Sequence, residues 1–340
     1  MHILTLETSC DETAAAVVTD RLEVLGAVVA SQDKLHERFR GVVPEIAARA
    51  HVERILPVID ETLRRAGRTL REMDAIAVAN TPGLAGSLLV GLVAAKTLCL
   101  ALNKPLVAVN HLYAHIYACK IASGRDVFPC VGLIVSGGHS SLYHCVNSFE
   151  FRPLGGTIDD AAGEAFDKVA SMLGLPYPGG PAISGVAESG DPQAYRFPRA
   201  LLQDDDRLDF SFSGLKTAVR YQIAGPGRPD FRALELAPQT VADLAASFQE
   251  AVVDCLAGKT MLAVRKTGLT TVCVGGGVAA NRRLRARLQQ EAERAGVELL
   301  IAPPSLCTDN AVMGGIAMER FQAGLIEDLD LDVYPGVVRP

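Results

Sequence analysis

Val131-Gly132-Leu133-Ile134-Val135-Ser136-Gly137-Gly138-His139-Ser140-Ser141-Leu142-Tyr143-His144-Cys145-Val146 reads as an apolar strand, a glycine turn and a returning strand. The same order opens the chain. Ile3 to Glu7 is followed by the turn Thr8-Ser9-Cys10-Asp11-Glu12-Thr13, by Ala14 to Val18, and by a third run from Val24 to Ser31. Their β-branched content and intervening turn residues argue for an antiparallel meander. Further on, short apolar runs alternate with helical segments. A helix begins near Pro44, Ala75 to Ala79 and Leu106 to Val109 read as buried strands, and a helix from near Leu84 to near Asn103 lies between them. In the second half, helical stretches at Asp160 to Leu173 and Gln239 to Thr267 precede strands at Thr271 to Val274 and Glu298 to Ala302. Such alternation favours α/β layers. Its repetition predicts an internal duplication, two lobes with a central cleft between them.

The bulk properties agree. A chain of 340 residues, 49% apolar, is long enough for two domains of ordinary size. A net charge of -6 argues against a protein that coats nucleic acid non-specifically, so any RNA binding needs a local basic patch. None of the eight cysteines is spaced as Cys-x-x-Cys, which argues against a zinc ribbon and for buried thiols in a reducing compartment. The first strand and turn already hold Glu7, Asp11 and Glu12, unlike a signal peptide. The longest apolar run, Leu84 to Leu102, carries Ser87, Lys96 and several glycines, and predicts a buried helix rather than a membrane span. A cytoplasmic protein is expected, with no membrane partner.

Four glycine- or hydroxyl-rich turns sit at strand ends or helix starts: 8–13, 136–140, Tyr177-Pro178-Gly179-Gly180-Pro181 with Pro181 opening a helix, and Gly275-Gly276-Gly277 ahead of a helix at Asn281. Backbone N–H groups in such turns can cradle phosphate, although turns favour glycine for their own sake. None matches the P-loop or the dinucleotide fingerprint. His111 and His115, four apart, share a helical face and suit two imidazoles on one metal; the ordinary reading is two surface or capping histidines. Leu112 stands where a zinc protease needs glutamate, which argues against that activity. A third ligand has to come from elsewhere. Asp309, in Thr308-Asp309-Asn310, is a candidate, though it also looks like a cap for a helix from Ala311 to Phe321. Asp159, Asp160 and Glu164 offset a helix dipole, Glu164 pairs with Lys168, and Asp167 lies past that first turn. Arg282, Arg283, Arg285 and Arg287, with Lys216 and Arg220, are either solvated faces or a footprint for RNA phosphates. Arg282 and Arg285, at i,i+3, could share a face; the alternative is that these arginines pair with neighbours such as Glu291.

These residues fall into ten motifs in unbroken order. They are Glu7 to Thr13, Gly41 to Glu45, Pro82-Gly83-Leu84, Asn110 to His115, Val135 to His139, Asp159 to Lys168, Tyr177 to Pro181, Asp209 to Thr217, Gly275 to Asn281, and Cys307 to Asn310. The chain resembles the bacterial tRNA N6-adenosine threonylcarbamoyltransferase family, once described as glycoprotein endopeptidases, from residue 1 to about 325. One departure is Tyr113, between the histidines, where many relatives carry glutamate.

The resemblance implies an α/β, two-lobed, duplicated actin/Hsp70/sugar-kinase-like ATPase fold. Residues 1–125, completed by 303–340, would form the first lobe and 126–302 the second. It implies one divalent metal per subunit on His111, His115 and Asp309, iron(II) with zinc as the alternative. Substrate contacts would fall on Ile134, Val135, Ser136, Gly137, Gly138, Asp167, Gly180 and Asn281, and Asp11 or Glu12 would accept a proton. The activity implied is transfer of threonylcarbamoyl from threonylcarbamoyl-AMP to N6 of adenosine 37, giving t6A in tRNAs that read codons beginning with A. The partners implied are tRNA, a catalytically silent paralogue of the same fold and a small P-loop ATPase. A sugar or acetate kinase on this fold would leave the histidine pair without a role. An Hsp70-like module would need a peptide-binding domain for which the chain has no room.

Overall fold

The computed structural model describes residues 1–225 and 236–336, and the chain divides into two compact units, Met1–Asp126 with Thr308–Pro340, and Val127–Cys307. The lobe ranges expected from the sequence include 226–235 and 337–340, which lie outside the described residues.

The first unit opens with the meander β1 (His2–Glu7), β2 (Glu12–Thr19) and β3 (Val24–Ser31). A short helix α1 (Asp33–His36) and a 3-10 turn over Glu37–Phe39 lead into α2 (Pro44–Ala66). Proline suits that start, because the first N–H groups of a helix have no partner inside it. Next come β4 (Ala75–Thr81), α3 (Ala85–Leu102), β5 (Leu106–Asn110) and α4 (His111–Ser123). The strands lie in the order β3-β2-β1-β4-β5, antiparallel within the meander and parallel from β1 through β4 to β5. β1 and β4 are buried almost throughout, which is why they read as continuous apolar runs. Leu4, Leu6 and Val17 of the sheet pack with Ile55 and Ile59 of α2 and Leu92 of α3.

The run 84–102 departs from the expected buried helix. In α3 the face with Leu88, Leu92, Ala95 and Cys99 is buried, while Leu89, Val93 and Leu100 are exposed. By length and composition alone α3 could cross a membrane, at a mean hydropathy of 1.9. Its inner face is packed against the sheet and α2 of this unit.

The second unit repeats the plan with β6 (Cys130–Val135), β7 (Ser140–Cys145) and β8 (Phe151–Gly156). Then follow α5 (Ala162–Met172), α6 (Gly179–Ala187), α7 (Ser213–Ala224) and α8 (Pro238–Thr267). β9 (Thr271–Gly275), α9 (Arg282–Ala295), β10 (Glu298–Ile301) and α10 (Pro304–Cys307) complete it. Read from β8, its order β8-β7-β6-β9-β10 is that of the first sheet: third, second, first, fourth and fifth strand. The directions match too, antiparallel through β6, β7 and β8 and parallel through β6, β9 and β10. The duplication inferred from the repeated meander is therefore present. After α10 the chain returns to the first unit, with a 3-10 turn over Val312–Gly315 and α11 (Ile316–Gln322) where one helix was expected.

Candidate metal centre

Asn110 ends β5 and caps α4, its Oδ1 accepting from the backbone N–H groups of Leu112 at 2.9 Å and Tyr113 at 3.3 Å. The cap places His111 and His115 in successive turns on one face, both buried. Tyr113, two residues past His111, points about 200° round the helix from that face. Asp309 arrives from the C-terminal segment of the same unit. Asn310 does the capping there, its Oδ1 accepting from Met313 N–H at 3.1 Å. Thr5 of β1 anchors the segment by donating its hydroxyl to Ala311 O at 2.6 Å.

The Asp309 carboxylate oxygen lies 3.2 Å from His115 Nε2 and 3.6 Å from His111 Nε2. One ligand atom from each residue falls within 4.8 Å of the others. The imidazoles meet edge to face, centroids 4.7 Å apart. The two ring nitrogens of His115 are buried without a hydrogen bond, since its contact with Asp309 is close but poorly aligned. An unpaired buried polar atom is costly, and Nε2, set toward Asp309, is placed to serve as a metal ligand. His111 is oriented from behind: Glu7 Oε2 and Ser9 Oγ each lie 3.0 Å from its Nδ1, and Ser9 N–H donates to Glu7 Oε1 at 2.6 Å. Nδ1–H then faces the carboxylate and Nε2 is left toward Asp309, the arrangement that supports metal-bound histidines. Burial alone would hold His111 neutral; the carboxylates of Asp309 and Glu7 outweigh it and push its pKa up to about 9. The donor set of two imidazoles and a carboxylate fits a divalent transition metal.

Asp11 lies in the turn after β1, and Glu12 begins β2. With Asp33 they bring three carboxylates within 4.8 Å of one another. Burial first, and then the Asp309 charge, raise the pKa of both Asp11 and Glu12 above the usual carboxylate range.

The other expected ligand contacts belong to the second unit. Ile134 and Val135 end β6 and are buried, while Gly137 and Gly138 are exposed in the turn. Ser136 closes that turn, its N–H donating to His139 O at 2.8 Å, and its own carbonyl accepts from Gly163 N–H at 3.2 Å. Asp167 of α5 accepts from Gly179 N–H at 2.7 Å, which fixes the first turn of α6 beside Gly180. Asn281 caps α9 through Leu284 N–H at 3.0 Å and donates to Gln249 Oε1 at 2.7 Å. Gly276, at φ 95° against the carbonyl of Val135, joins the end of β9 to that of β6.

Two readings from charge change. Asp159 caps a different helix from the one expected, accepting from Ser211 Oγ at 2.6 Å and the N–H groups of Phe212 at 2.9 Å and Ser213 at 3.2 Å, ahead of α7. The arginines of α9 are mostly engaged within the unit. Arg283 is bidentate on Glu250, and Arg287 pairs with Asp254 and Glu291 at 3.1 Å each. Arg285 donates to Ala279 O at 2.7 Å and also to Ala302 O, so it is committed to backbone carbonyls rather than to RNA. Arg282 stays largely exposed beside Glu188. Glu7, Ser9 and Gln249 were missed as supporting residues. Glu7 and Ser9 stood inside a quoted motif, but only the fold brings them to His111.

Two α/β sheets of one topology define an actin-like ATPase fold, and its first unit carries a buried His-His-Asp group that could hold a divalent metal. Likeness to solved structures agrees on the fold: HypF of T. kodakarensis matches 95% of this chain and 47% of its own at TM-score 0.61 and 15% identity. The activator of 2-hydroxyisocaproyl-CoA dehydratase from Clostridium difficile matches 95% and 97% at TM-score 0.54 and 11% identity. The family model described as tRNA N6-adenosine threonylcarbamoyltransferase matches residues 23–316. Proteins of that name are 56% identical in Rhodopirellula baltica, over 99% of this chain and 97% of the relative, and 48% identical in Bacillus subtilis, over 99% and 95%. The chain belongs to the tRNA N6-adenosine threonylcarbamoyltransferase family.

Proposed function

We infer that the chain transfers threonylcarbamoyl from threonylcarbamoyl-AMP to N6 of adenosine 37, giving t6A in tRNAs that read codons beginning with A. Family membership supports the activity. The observation that carries its location is the buried His111-His115-Asp309 group, with Glu7 orienting one ring. The metal we assign is iron(II), with zinc as competitor; when bound it supplies a Lewis acid and a template for the carbamoyl group.

The N6–carbon bond forms as the bond from the carbamoyl carbon to the phosphate oxygen breaks, AMP leaves with the electron pair, and N6 sheds one proton. Asp11 or Glu12 takes that proton. Their raised pKa values make them better bases than ordinary surface carboxylates. Gly137 and Gly138 offer backbone N–H groups to phosphate or developing charge; the Ser136 N–H is taken by His139 O, so Ser136, with Ile134 and Val135, sets the position of that turn. Asp167, Gly180 and Asn281 hold the rest of the donor. The units act as the two lobes, residues 1–125 with 303–340 and 126–302.

A cytoplasmic setting is consistent with eight free cysteines. The silent paralogue docks on the first unit, where Val52 and Leu56 of α2 and Leu89, Val93 and Leu100 of α3 are exposed. The small P-loop ATPase rests on family resemblance alone. Incubation with threonylcarbamoyl-AMP, unmodified tRNA and the partner proteins, followed by nucleoside mass spectrometry, tests the reading. We expect t6A from the wild type and its loss in Asp309→Ala; unmodified adenosine 37 with the wild type would overturn the function.

A further inference from the structure

Between β3 and α2 the chain makes a turn that presents Lys34, Leu35, Arg38, Phe39 and Arg40 on the surface. Phe39 is 47% exposed, and the Arg38 guanidinium sits over its ring, 4.5 Å from the centroid. Arg40 turns the chain in the left-handed region, φ 57°. Lys34, Arg38 and Arg40 are basic against the acids Asp33 and Glu37, and Asp33 lies within the carboxylate cluster of Asp11 and Glu12.

This exposed turn stands on a buried polar relay. Val43 N–H donates to His36 Nδ1 at 3.2 Å, so the proton of that ring is on Nε2, which faces Gln32 Oε1 at 3.3 Å. The Gln32 amide donates onward to Ala47 O at 3.4 Å and lies 3.5 Å from His51 Nδ1. His51 Nδ1 also accepts from Thr13 Oγ1 at 2.8 Å, and its Nε2–H donates to Cys10 O at 3.0 Å. Gln32, His36 and His51 are each essentially inaccessible to solvent. The relay therefore fixes the basic aromatic turn relative to the segment 10–13, whose Asp11 and Glu12 feel the charge of Asp309.

We propose that the turn 34–40 is a contact surface for the tRNA anticodon loop. Phe39, backed by Arg38, stacks on an unpaired base, while Lys34 and Arg38 draw the flanking phosphates. An aromatic ring accepts any base through its π face, and guanidinium adds to the stack, which is how proteins grip single-stranded loops. The arginines of α9 are largely committed to their own unit, whereas this turn adjoins the carboxylates assigned to proton transfer. The proposal rests on tRNA being the acceptor substrate.

Titration of a fluorescent, unmodified anticodon stem–loop onto the full chain tests it without turnover. Phe39→Ala should weaken binding roughly tenfold or more, and Phe39→Tyr should restore it. Replacing Lys34 and Arg38 together by Gln should reduce the slope of log affinity against log salt by about 0.7 for each charge removed. In the complete reaction, Phe39→Ala should raise the KM for tRNA and leave the KM for threonylcarbamoyl-AMP unchanged. Binding by Phe39→Ala within twofold of wild type, at unchanged Tm, would overturn the surface. A wild type that binds RNA but forms no t6A would sink the activity and leave the binding result standing.

Discussion

Glu7, at the end of β1, and Ser9, in the turn after it, both reach Nδ1 of His111 from a segment far from α4 in sequence, and a neutral amide at position 7 would keep the shape of that contact while removing its charge. Glu7→Gln should therefore lower affinity for a divalent metal by about 10- to 100-fold without unfolding the chain, read by competition with a chromogenic chelator. Equal affinity would show that Glu7 does not support the ligand. His51 gives a pH prediction of definite sign. Burial lowers its pKa below the ordinary 6.5, so the folded state keeps the ring neutral. As pH falls below about 6.5 the unfolded chain takes up the proton first, so the contribution to stability is full above 6.5 and declines below it. Denaturant titrations between pH 7 and 5 should show this slope, at most about 1.4 kcal/mol per pH unit for one proton, and His51→Asn should flatten it. An unchanged slope would mean that other groups set the acid limit. At this scale the sequence was informative in part. The histidine spacing exposed two members of the His-His-Asp group, because i,i+4 geometry is local. The pairing of Glu7 with His111 was hidden, because strand register and helix placement create it.

At the scale of elements, the β6–β7 turn is held by what packs beneath it. A Cβ at Gly163 would lie 2.6 Å from the carbonyl oxygen of Ser136 and 2.7 Å from Gly137 Cα, and both are backbone atoms that cannot rotate away. Gly163→Ala should push the turn 136–138 off the end of α5, costing roughly 1–3 kcal/mol in stability. It should weaken binding of AMP, the leaving group of the donor, more than it weakens metal binding in the first unit. Calorimetry with AMP and a chelator competition on the same variant separate the two, and parallel losses would indicate general unfolding instead. The elements themselves differed in how well they could be read. β1, β4, β6 and β9 were visible because strands buried on both faces are continuous apolar runs. β8 was not, since Arg152 and Pro153 are exposed and break the pattern. α7 was also missed; its start depends on capping by Asp159, more than fifty positions earlier, a contact without a local signature. The helix 85–102 was found, but periodicity could not show that its outer face stays exposed and apolar.

At the scale of the whole molecule, the His-His-Asp group closes a long loop in the chain. His111 and His115 come from α4, and Asp309 comes after the chain has built the entire second unit and returned. Packing holds this return in place: Thr5 bonds Ala311 O, Tyr117 of α4 donates to Glu319 of α11 at 2.5 Å, and Lys120 pairs with Glu319 at 2.6 Å. A metal bound by all three residues binds the folded arrangement far better than the unfolded chain, so occupancy and stability are linked. With free metal at 100 times its Kd the gain should be about 2.7 kcal/mol. For a unit of this size that corresponds to a rise in Tm of roughly 5–10 °C. Asp309→Ala and His115→Ala should abolish most of the rise. Glu319→Gln weakens an anchor without touching a ligand, so it should keep part of the rise and shift it to higher metal concentration. The measurement is a thermal melt of the chelator-treated chain over a series of iron(II) concentrations without oxygen, repeated with zinc. A rise of equal size in Asp309→Ala would mean that the ion binds elsewhere, and the three residues would then be a polar cluster without a metal.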